Sequence, residues 1–379
     1  MASDRSRPKV LFLTKYTRAG ASSRYRTFQY LPFLEAAGLS CEVGPLFSDR
    51  YLATKYRTGR ASSVDVIMAL TRRLLQLARV PRFDLLVIEY ELLPYFPAWL
   101  ERLLAWRGVR YVVDYDDALF HQYDLHRTGA VRALLGAKIA AVMRAAHLVT
   151  AGNDYLADHA VTAGARWVEE IPTVIDLEKY PVRPAQEERN PDAVVIGWIG
   201  SPATTKYLEA IAAPLAKVCQ GTGARVRLLG AGPVSLPGVP VESLAWEQAS
   251  ETECIATFDI GIMPLVDGPW ERGKCGFKLI QYMACGLPVV ASPVGVNRRI
   301  VDPGVHGFLA ASEEEWTRAL TSLVEDAMLR ARMGAQGRAR VESSYSMQVV
   351  APRLAQLLMQ AAGCNPEQVV KECAESQAS

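Results

Sequence analysis

The sequence lacks any run of about twenty uncharged apolar residues, which is the length that a membrane-spanning helix needs. Its seven cysteines are scattered and form no C-x-x-C pair, which excludes the usual structural zinc spacings and fits a reducing compartment. The first ten residues, MASDRSRPKV, are charged and contain no long apolar region, so we expect no secretory signal. These absences predict a cytoplasmic protein, and a peripheral position on the inner face of the membrane stays open.

Composition and hydrophobic pattern predict a globular α/β chain of two domains. Half of the 379 residues are hydrophobic and the formal net charge is +2. Short apolar runs alternate with helical patterns, which indicates two parallel sheets covered by helices on both faces. The runs lie at residues 9–14, 85–88, 111–113 and 148–150, and then at 194–199, 225–229, 260–263 and 289–291. A polar, proline-rich stretch at 181–193 is the predicted linker, and two such doubly wound halves would face each other across a ligand-binding cleft.

Residues 273–295 contain a glycine-rich turn with two lysines, followed by a short helix and a buried strand. If the helix begins near Gly276, its positive dipole end lies beside Lys274 and Lys278, and both ammonium groups lie on one face. Backbone N–H groups and cations at one point are suited to hold phosphate. The alternative is an ordinary turn with two solvated lysines.

Four segments, in the order of the chain, carry a family resemblance. Residues 171–176 (IPTVID) resemble an I-P-N-G-V-D turn, and residues 195–206 lie where a G-R-x-x-x-x-K motif is expected. Residues 227–232 (RLLGAG) are similar to a strand followed by G-x-G, and residues 281–292 (QYMACGLPVVAS) are similar to E-A-M-A-C-G-x-P-V-V-A-T. Over most of residues 9–360 the chain therefore resembles the GT-B glycosyltransferases, and within them the large retaining family 4.

The resemblance implies a fold, a reaction and a domain plan. The fold would be two Rossmann-like domains facing a cleft: an acceptor domain at 1–188, a donor domain at 189–346, and a C-terminal helix at 347–379 that crosses back to the first domain and ends in a frayed tail. The enzyme would be a hexosyltransferase that moves a sugar from a nucleotide-diphosphate sugar to a hydroxyl acceptor with retention of configuration. It would need no metal or other cofactor and no nucleic acid. Its acceptor, lipid-linked or a small molecule, would belong to glycan, glycolipid or glycosylated-metabolite biosynthesis.

The chain departs from the family pattern at three positions. The family usually carries two glutamates eight residues apart, where this chain has Gly273 and Gln281. Gln281 can still bond ribose hydroxyls, whereas Gly273 cannot replace a carboxylate. Glu271 lies two residues away and could reach the same place, and whether it compensates for Gly273 stays open. Ser201 stands where a phosphate-binding arginine is common, and Lys206 keeps the lysine of that motif.

The predicted donor site stabilises the leaving diphosphate with lysines and backbone N–H groups, since preorganised charge is usually the larger part of catalysis. The donor-binding candidates are Gly200, Ser201, Lys206, Gly232, Lys274, Cys275, Gly276, Phe277, Lys278 and Gln281. The candidate catalytic residues are Lys206, Lys278, Asp116 and Glu271. For Lys206 the alternative is a solvated lysine on a helix face.

The acceptor-side candidates follow the first strands of the N-terminal half. They are Ser23, Arg24, Arg26, Glu89, Glu91, Asp114 and Asp117. Carboxylates at a strand end suit sugar hydroxyls, and the arginines suit a diphosphate or an anionic acceptor. Three alternatives stay open: Asp117 fits a helix cap equally well, Arg24 fits an outward-facing arginine, and the cluster 114–117 fits a Mg²⁺ site.

Residues 127–147 carry four basic side chains and no acid: Arg127, Arg132, Lys138 and Arg144. We expect a basic amphipathic helix, which rests on an anionic membrane surface or is an ordinary helix with a solvated basic side. Two rival functions also stay open for the whole chain: a nucleotide-sugar epimerase on the same fold, and a non-catalytic protein that binds nucleotide sugar or membrane.

Overall fold

A computed structural model describes residues 7–59, 61–180, 182 and 193–365. The chain divides into two compact units: Met1–Thr173 with Val350–Ser379, and Val174–Val349. The predicted linker at 181–193 lies almost wholly outside the described residues. The predicted boundary at 188 lies outside the described residues, and the boundaries at 188 and 346 both stay a prediction.

The first unit contains a six-stranded parallel sheet in the order β2-β1-β3-β4-β5-β6. Its strands are β1 (Lys9–Leu13), β2 (Ser40–Val43), β3 (Leu85–Glu89), β4 (Tyr111–Tyr115), β5 (Leu148–Ala151) and β6 (Val168–Glu170). Its helices are α1 (Ala21–Ser23), α2 (Leu31–Ala36), α3 (Asp49–Thr58), α4 (Ser63–Leu77), α5 (Trp99–Trp106), α6 (His121–Asp124), α7 (Gly129–Leu135), α8 (Lys138–Ala145) and α9 (Asp154–Thr162), and a π-helical turn spans Arg24–Phe28. Every residue of β3, β4 and β5 is buried, as expected for strands covered on both faces.

The second unit contains another six-stranded parallel sheet, in the order β12-β11-β10-β7-β8-β9. Its strands are β7 (Val195–Ile199), β8 (Arg225–Leu229), β9 (Val241–Leu244), β10 (Ile260–Met263), β11 (Val289–Ala291) and β12 (Gly307–Leu309). Its helices are α10 (Lys206–Glu209), α11 (Ala212–Thr222), α12 (Glu251–Ala256), α13 (Pro269–Arg272), α14 (Phe277–Ala284), α15 (Asn297–Ile300), α16 (Glu313–Glu325) and α17 (Ala327–Ser344). The predicted pair of doubly wound parallel sheets is confirmed.

The last helix, α18, spans Met347–Ala362. From Val350 onward it belongs to the first unit. There Leu354 and Leu358 line a small cavity beneath the first sheet together with Phe12 and Val87. The chain thus returns to its N-terminal unit, as the predicted fold class requires.

Candidate active site

The turn before α14 has the geometry that the sequence predicts. Gly276 precedes the first helical residue, Phe277, and adopts the left-handed conformation with φ 65°. A Cβ atom at this position would lie 2.2 Å from Ile300 Cδ1, so the turn requires glycine. The prediction that the helix begins near Gly276 is confirmed, and its positive dipole end lies next to Lys278.

Lys278 is a half-buried cation on the first turn of α14. Its Nζ atom lies 4.3 Å from the centre of the Trp198 ring of β7. Burial, and secondarily the positive charge of Lys274, lowers the pKa of Lys278 to about 7. No carboxylate among residues 7–59, 61–180, 182 and 193–365 forms an ion pair with it. Such a cation gains free energy from any anion that reaches it.

Trp198 connects this lysine to the loop that follows β7. A Cβ atom on Gly200 would lie 2.4 Å from the Trp198 ring, so ring and loop are in direct contact. The loop after β8 lies beside it, because a Cβ atom on Gly230 would lie 2.5 Å from the Gly200 carbonyl oxygen. Gly230 and Gly232 both have positive φ, 79° and 72°. The loops at the carboxyl ends of β7 and β8 therefore meet at Gly200, beside the Trp198 ring that Lys278 contacts. Ligands of doubly wound sheets bind at such strand ends.

Ser201 and Lys206 lie on the short helical turns after β7. The Ser201 backbone N–H donates to Thr204 Oγ1 at 3.2 Å, which closes the turn. The Lys206 side chain is exposed, and its Nζ atom lies 4.9 Å from the centre of the Tyr207 ring. The Tyr207 hydroxyl in turn donates to Glu271 of α13. The structure thus brings two of the candidate catalytic residues, Lys206 and Glu271, to one tyrosine.

Gln281 lies deeper, inside a buried polar network. Its Nε2 atom donates to Glu251 Oε1 at 2.7 Å and to the Tyr180 hydroxyl oxygen at 3.0 Å. Trp246 also donates its indole N–H to the Glu251 carboxylate. Sequence reasoning did not single out Glu251, which places a buried carboxylate beside the glutamine that replaces the family's second glutamate. Binding of ribose by Gln281 stays a prediction.

Glu89 is the last residue of β3, not a residue after it, and its side chain is buried. Its Oε2 atom accepts hydrogen bonds from Ser23 Oγ at 2.6 Å and from the Lys15 backbone N–H at 3.0 Å. Oε1 has no partner within the described part of the chain. Burial raises the pKa of Glu89 to about 7, so it holds a proton more readily than an ordinary glutamate.

Asp116 lies beside Glu89 at the end of β4. It accepts a hydrogen bond from the Tyr90 hydroxyl, and burial raises its pKa. Tyr90 has φ 64°, a left-handed conformation that is costly for a bulky residue and is often found at functional sites. Ser23, Glu89, Tyr90 and Asp116 therefore form one polar group at the carboxyl ends of β3 and β4. Sequence reasoning missed Tyr90, whose backbone strain leaves no local signal.

The expected positions of Arg26 and Asp114 need correction. Asp114 lies within β4, not after it, and Arg26 Nε donates to its Oδ2 at 2.9 Å. Arg26 Nη1 donates to the Ile171 carbonyl at 2.7 Å, and Thr150 Oγ1 donates to Asp114 Oδ1 at 2.6 Å. Arg26 and Asp114 are both buried inside the first unit, where an unpaired charge would be costly. The two side chains therefore neutralise each other.

Arg24 and Asp117 are also held by local contacts. Arg24 is buried and donates to the Arg18 carbonyl at 3.2 Å, so the outward-facing alternative is wrong. The Asp117 carboxylate accepts the backbone N–H of the next residue, Ala118, at 3.1 Å. Helix α6 begins at His121 with Phe120 at the N-cap position, so the description of Asp117 as a helix cap is wrong. In the part of the chain that the structure describes, no group of three or more His, Cys, Asp or Glu side chains could hold a metal ion.

The single basic helix predicted at 127–147 is wrong. The chain forms two helices there, α7 and α8, interrupted at Gly136 and Ala137. Lys138 is buried and forms an ion pair with Glu91, which also accepts the Tyr123 hydroxyl at 2.8 Å. A lysine with a buried partner cannot belong to a solvated basic side, and Glu91 is buried together with Lys138.

Comparison with solved structures shows the class of fold. Sucrose-phosphate synthase from Thermosynechococcus elongatus superposes with a TM-score of 0.68 at 16% identity, over 93% of this chain and 99% of that one. Anabaena HepE in complex with UDP-glucose superposes with a TM-score of 0.64 at 18% identity, over 93% and 99% of the two chains. The two parallel sheets with their flanking helices are those of the GT-B glycosyltransferases.

Sequence comparison concerns a shorter part of the chain. Residues 190–326 match the family model described as "Glycosyl transferases group 1". The chain is also 33% identical over 107 residues to a GDP-mannose-dependent monoacylated α-(1-6)-phosphatidylinositol monomannoside mannosyltransferase from Corynebacterium glutamicum. That match covers 27% of this chain and 28% of the mannosyltransferase. The family match contains β7 to β11 and α14, and with them Trp198, Gly276 and Lys278.

Proposed function

We propose that this protein is a glycosyltransferase that moves a sugar from a nucleotide-diphosphate sugar to a hydroxyl acceptor. The observation that carries the proposal is Lys278, a half-buried cation without an ion-pair partner in the described residues, at the glycine turn that opens α14. Two similarities support it. The Corynebacterium relative is named as a GDP-mannose-dependent mannosyltransferase, and the solved Anabaena HepE holds UDP-glucose.

The proposed reaction requires stabilisation of the negative charge that develops on the leaving diphosphate. When the bond between the anomeric carbon and the diphosphate breaks, the bonding electron pair stays on the diphosphate oxygen. Lys278, Lys274, Lys206 and the N–H groups at the start of α14 stabilise that developing charge. Removal of one preorganised donor from such a site typically costs about 3–4 kcal/mol of transition-state stabilisation. Anion binding also returns the pKa of Lys278 towards that of an ordinary lysine, so donor binding near neutral pH takes up a proton.

Three finer features belong to the same proposal. We place the chain with the retaining family 4 enzymes, because the segments at 171–176, 195–206, 227–232 and 281–292 resemble their motifs. Transfer of a hexosyl group with retention, without metal or other cofactor, is what that placement implies. On the acceptor side, Glu89 and Asp116 are the carboxyl groups we assign to the hydroxyl acceptor, since Glu89 keeps an unpartnered oxygen among the described residues and both pKa values are raised by burial.

A donor panel tests the proposal. We incubate the full chain with UDP-, GDP-, ADP- and dTDP-sugars in the presence of EDTA and measure release of nucleoside diphosphate. One donor should be hydrolysed slowly without acceptor and much faster with a hydroxyl acceptor. Conversion of the donor into an epimeric nucleotide sugar would show that the protein is an epimerase instead. Binding of a donor without turnover in the presence of acceptors would indicate a non-catalytic protein.

A further inference from the structure

Helix α4 presents an apolar stripe to solvent. Five of its large apolar side chains are exposed, with Ile67 at 64% and Leu75 at 66%; the five are Val64, Ile67, Met68, Leu74 and Leu75. Their spacing of three, four and seven residues places them on one side of the helix. Asp65, Ala69 and Arg73 form the buried side. The remaining exposed residues of α4, Ser63 and Thr71, carry no charge, so this surface is unusually apolar.

Helix α5 adds two exposed tryptophans. Trp99 is 70% exposed and Trp106 is 81% exposed, with exposed Leu103 between them. Arg102 is exposed on the same helix and Arg107 is exposed directly after it, while the one acidic residue of α5, Glu101, is buried. Exposed tryptophan next to arginine is typical of a surface that lies at the boundary between lipid and water.

Topology places both helices on one side of the first sheet. In the strand order β2-β1-β3-β4, the connections that contain α4 and α5 both step in the same direction along the sheet. Parallel crossovers are right-handed, so the two helices cover the same face. We call their combined exposed residues the α4–α5 face: Val64, Ile67, Met68, Leu74, Leu75, Trp99, Arg102, Leu103, Trp106 and Arg107.

Basic residues outnumber acidic ones around α4, although the exposed acids Asp49 and Asp84 border the stretch and Arg79 pairs with Glu42. Residues 50–82 contain eight basic residues and a single acid, Asp65, which is buried. Arg57 and Arg82 are exposed before and after α4. A second copy of the chain would bring these like charges together, whereas an anionic surface would attract them. An apolar helix with basic flanks and interfacial tryptophans fits an anionic lipid bilayer.

We propose that the α4–α5 face binds the surface of an anionic lipid bilayer, with α4 lying in the plane of the interface and its apolar stripe in contact with the acyl chains. No helix in the described ranges is long and apolar enough to cross a bilayer. The proposal does not depend on the proposed reaction, because it concerns a face of the first unit and requires no donor. It moves the expected membrane contact from 127–147 to α4 and α5.

Vesicle co-sedimentation tests it on the full chain. Wild-type protein should bind phosphatidylcholine vesicles that contain phosphatidylglycerol, bind pure phosphatidylcholine vesicles weakly, and be released as ionic strength rises. The double substitution Ile67→Glu and Leu75→Glu should weaken binding by roughly tenfold or more, because two charges would enter the apolar stripe. Met328→Glu is the matched control, since Met328 is 79% exposed on α17 of the second unit, and it should bind as wild type does.

Three results would overturn the proposal. If the wild-type protein sediments with neither kind of vesicle, the α4–α5 face does not bind a lipid bilayer. A double variant that binds as tightly as wild type, with an unchanged circular dichroism spectrum, places the contact elsewhere. A wild-type dimer that the double substitution converts to monomer, without vesicle binding in either case, assigns the α4–α5 face to a second copy of the chain.

Discussion

Replacing Lys278 by methionine removes the charge and keeps most of the side-chain volume. If Lys278 stabilises the leaving diphosphate, the loss of one preorganised donor should slow release of nucleoside diphosphate by about 10²–10³-fold. Binding of the free nucleoside diphosphate should weaken as well, and the Trp198 contact at 4.3 Å should lose its cation–π contribution of about 0.5–2 kcal/mol.

Folding stability should change in the opposite direction. The folded pKa of Lys278 is lowered from 10.5 to about 7, so the unfolded chain binds more protons between these values. Lys278 therefore destabilises the folded state most at and below pH 7, and this penalty fades as pH rises towards 10. Lys278→Met should raise the free energy of unfolding at pH 7 by up to about 4 kcal/mol, an upper limit because the half-buried side chain can turn towards water.

Release assays and urea unfolding at pH 7 and pH 10 measure both effects. Lys217→Met is the matched control, since Lys217 is an exposed lysine of α11, and it should leave rate and stability unchanged. A Lys278→Met variant with wild-type turnover would refute the assignment of the site. A variant that is both slow and less stable would show that Lys278 supports the fold instead of the diphosphate.

Three further predictions concern the supporting structure. Gly276→Ala should lower the free energy of unfolding by about 1–3 kcal/mol and abolish turnover, because the φ of Gly276 is 65° and a Cβ atom would lie too close to Ile300. Gly221→Ala in α11 is the control: a Cβ atom there meets nothing within 4 Å, so this variant should not be destabilised. Equal urea midpoints for the two variants would contradict the prediction. The pKa of Glu89 is raised to about 7, so Glu89 stabilises the fold below about pH 4.5 and loses that contribution as the pH rises through 7. Glu89→Gln should therefore flatten the fall in melting temperature between about pH 4.5 and pH 7. A melting-temperature profile identical to that of the wild type would contradict this assignment. Arg26→Ala should cost about 3–5 kcal/mol by leaving Asp114 buried and unpaired, and a cost below 1 kcal/mol in urea unfolding would show that the pair is not needed.

Features that depend on local pattern could be predicted from the sequence. The continuous apolar runs of β3, β4 and β11 identify buried parallel strands because both faces are covered. The start of α14 follows from Gly276, since only glycine enters the left-handed conformation easily before a helix. The glycine turn before α14 could therefore be predicted without long-range information.

Features that depend on distant partners could not be predicted. Lys138 appears solvated in the sequence, but its partner Glu91 lies 47 residues away, and that pair buries it. The sequence pattern places Asp114 after the strand, but Arg26, 88 residues away, pairs with it and the strand continues through it. The contact of Lys278 with Trp198 and that of Gln281 with Glu251 likewise join residues from different elements, so no local spacing records them.

The location of a bound nucleotide tests the central claim most directly. We would determine a crystal structure of the full chain with the nucleoside diphosphate of whichever donor the panel selects. The account predicts that the diphosphate contacts the backbone N–H groups at the start of α14 and lies within ion-pair distance of Lys278 Nζ. A diphosphate bound elsewhere, with Lys278 still stacked on Trp198 and without an anion, would contradict it.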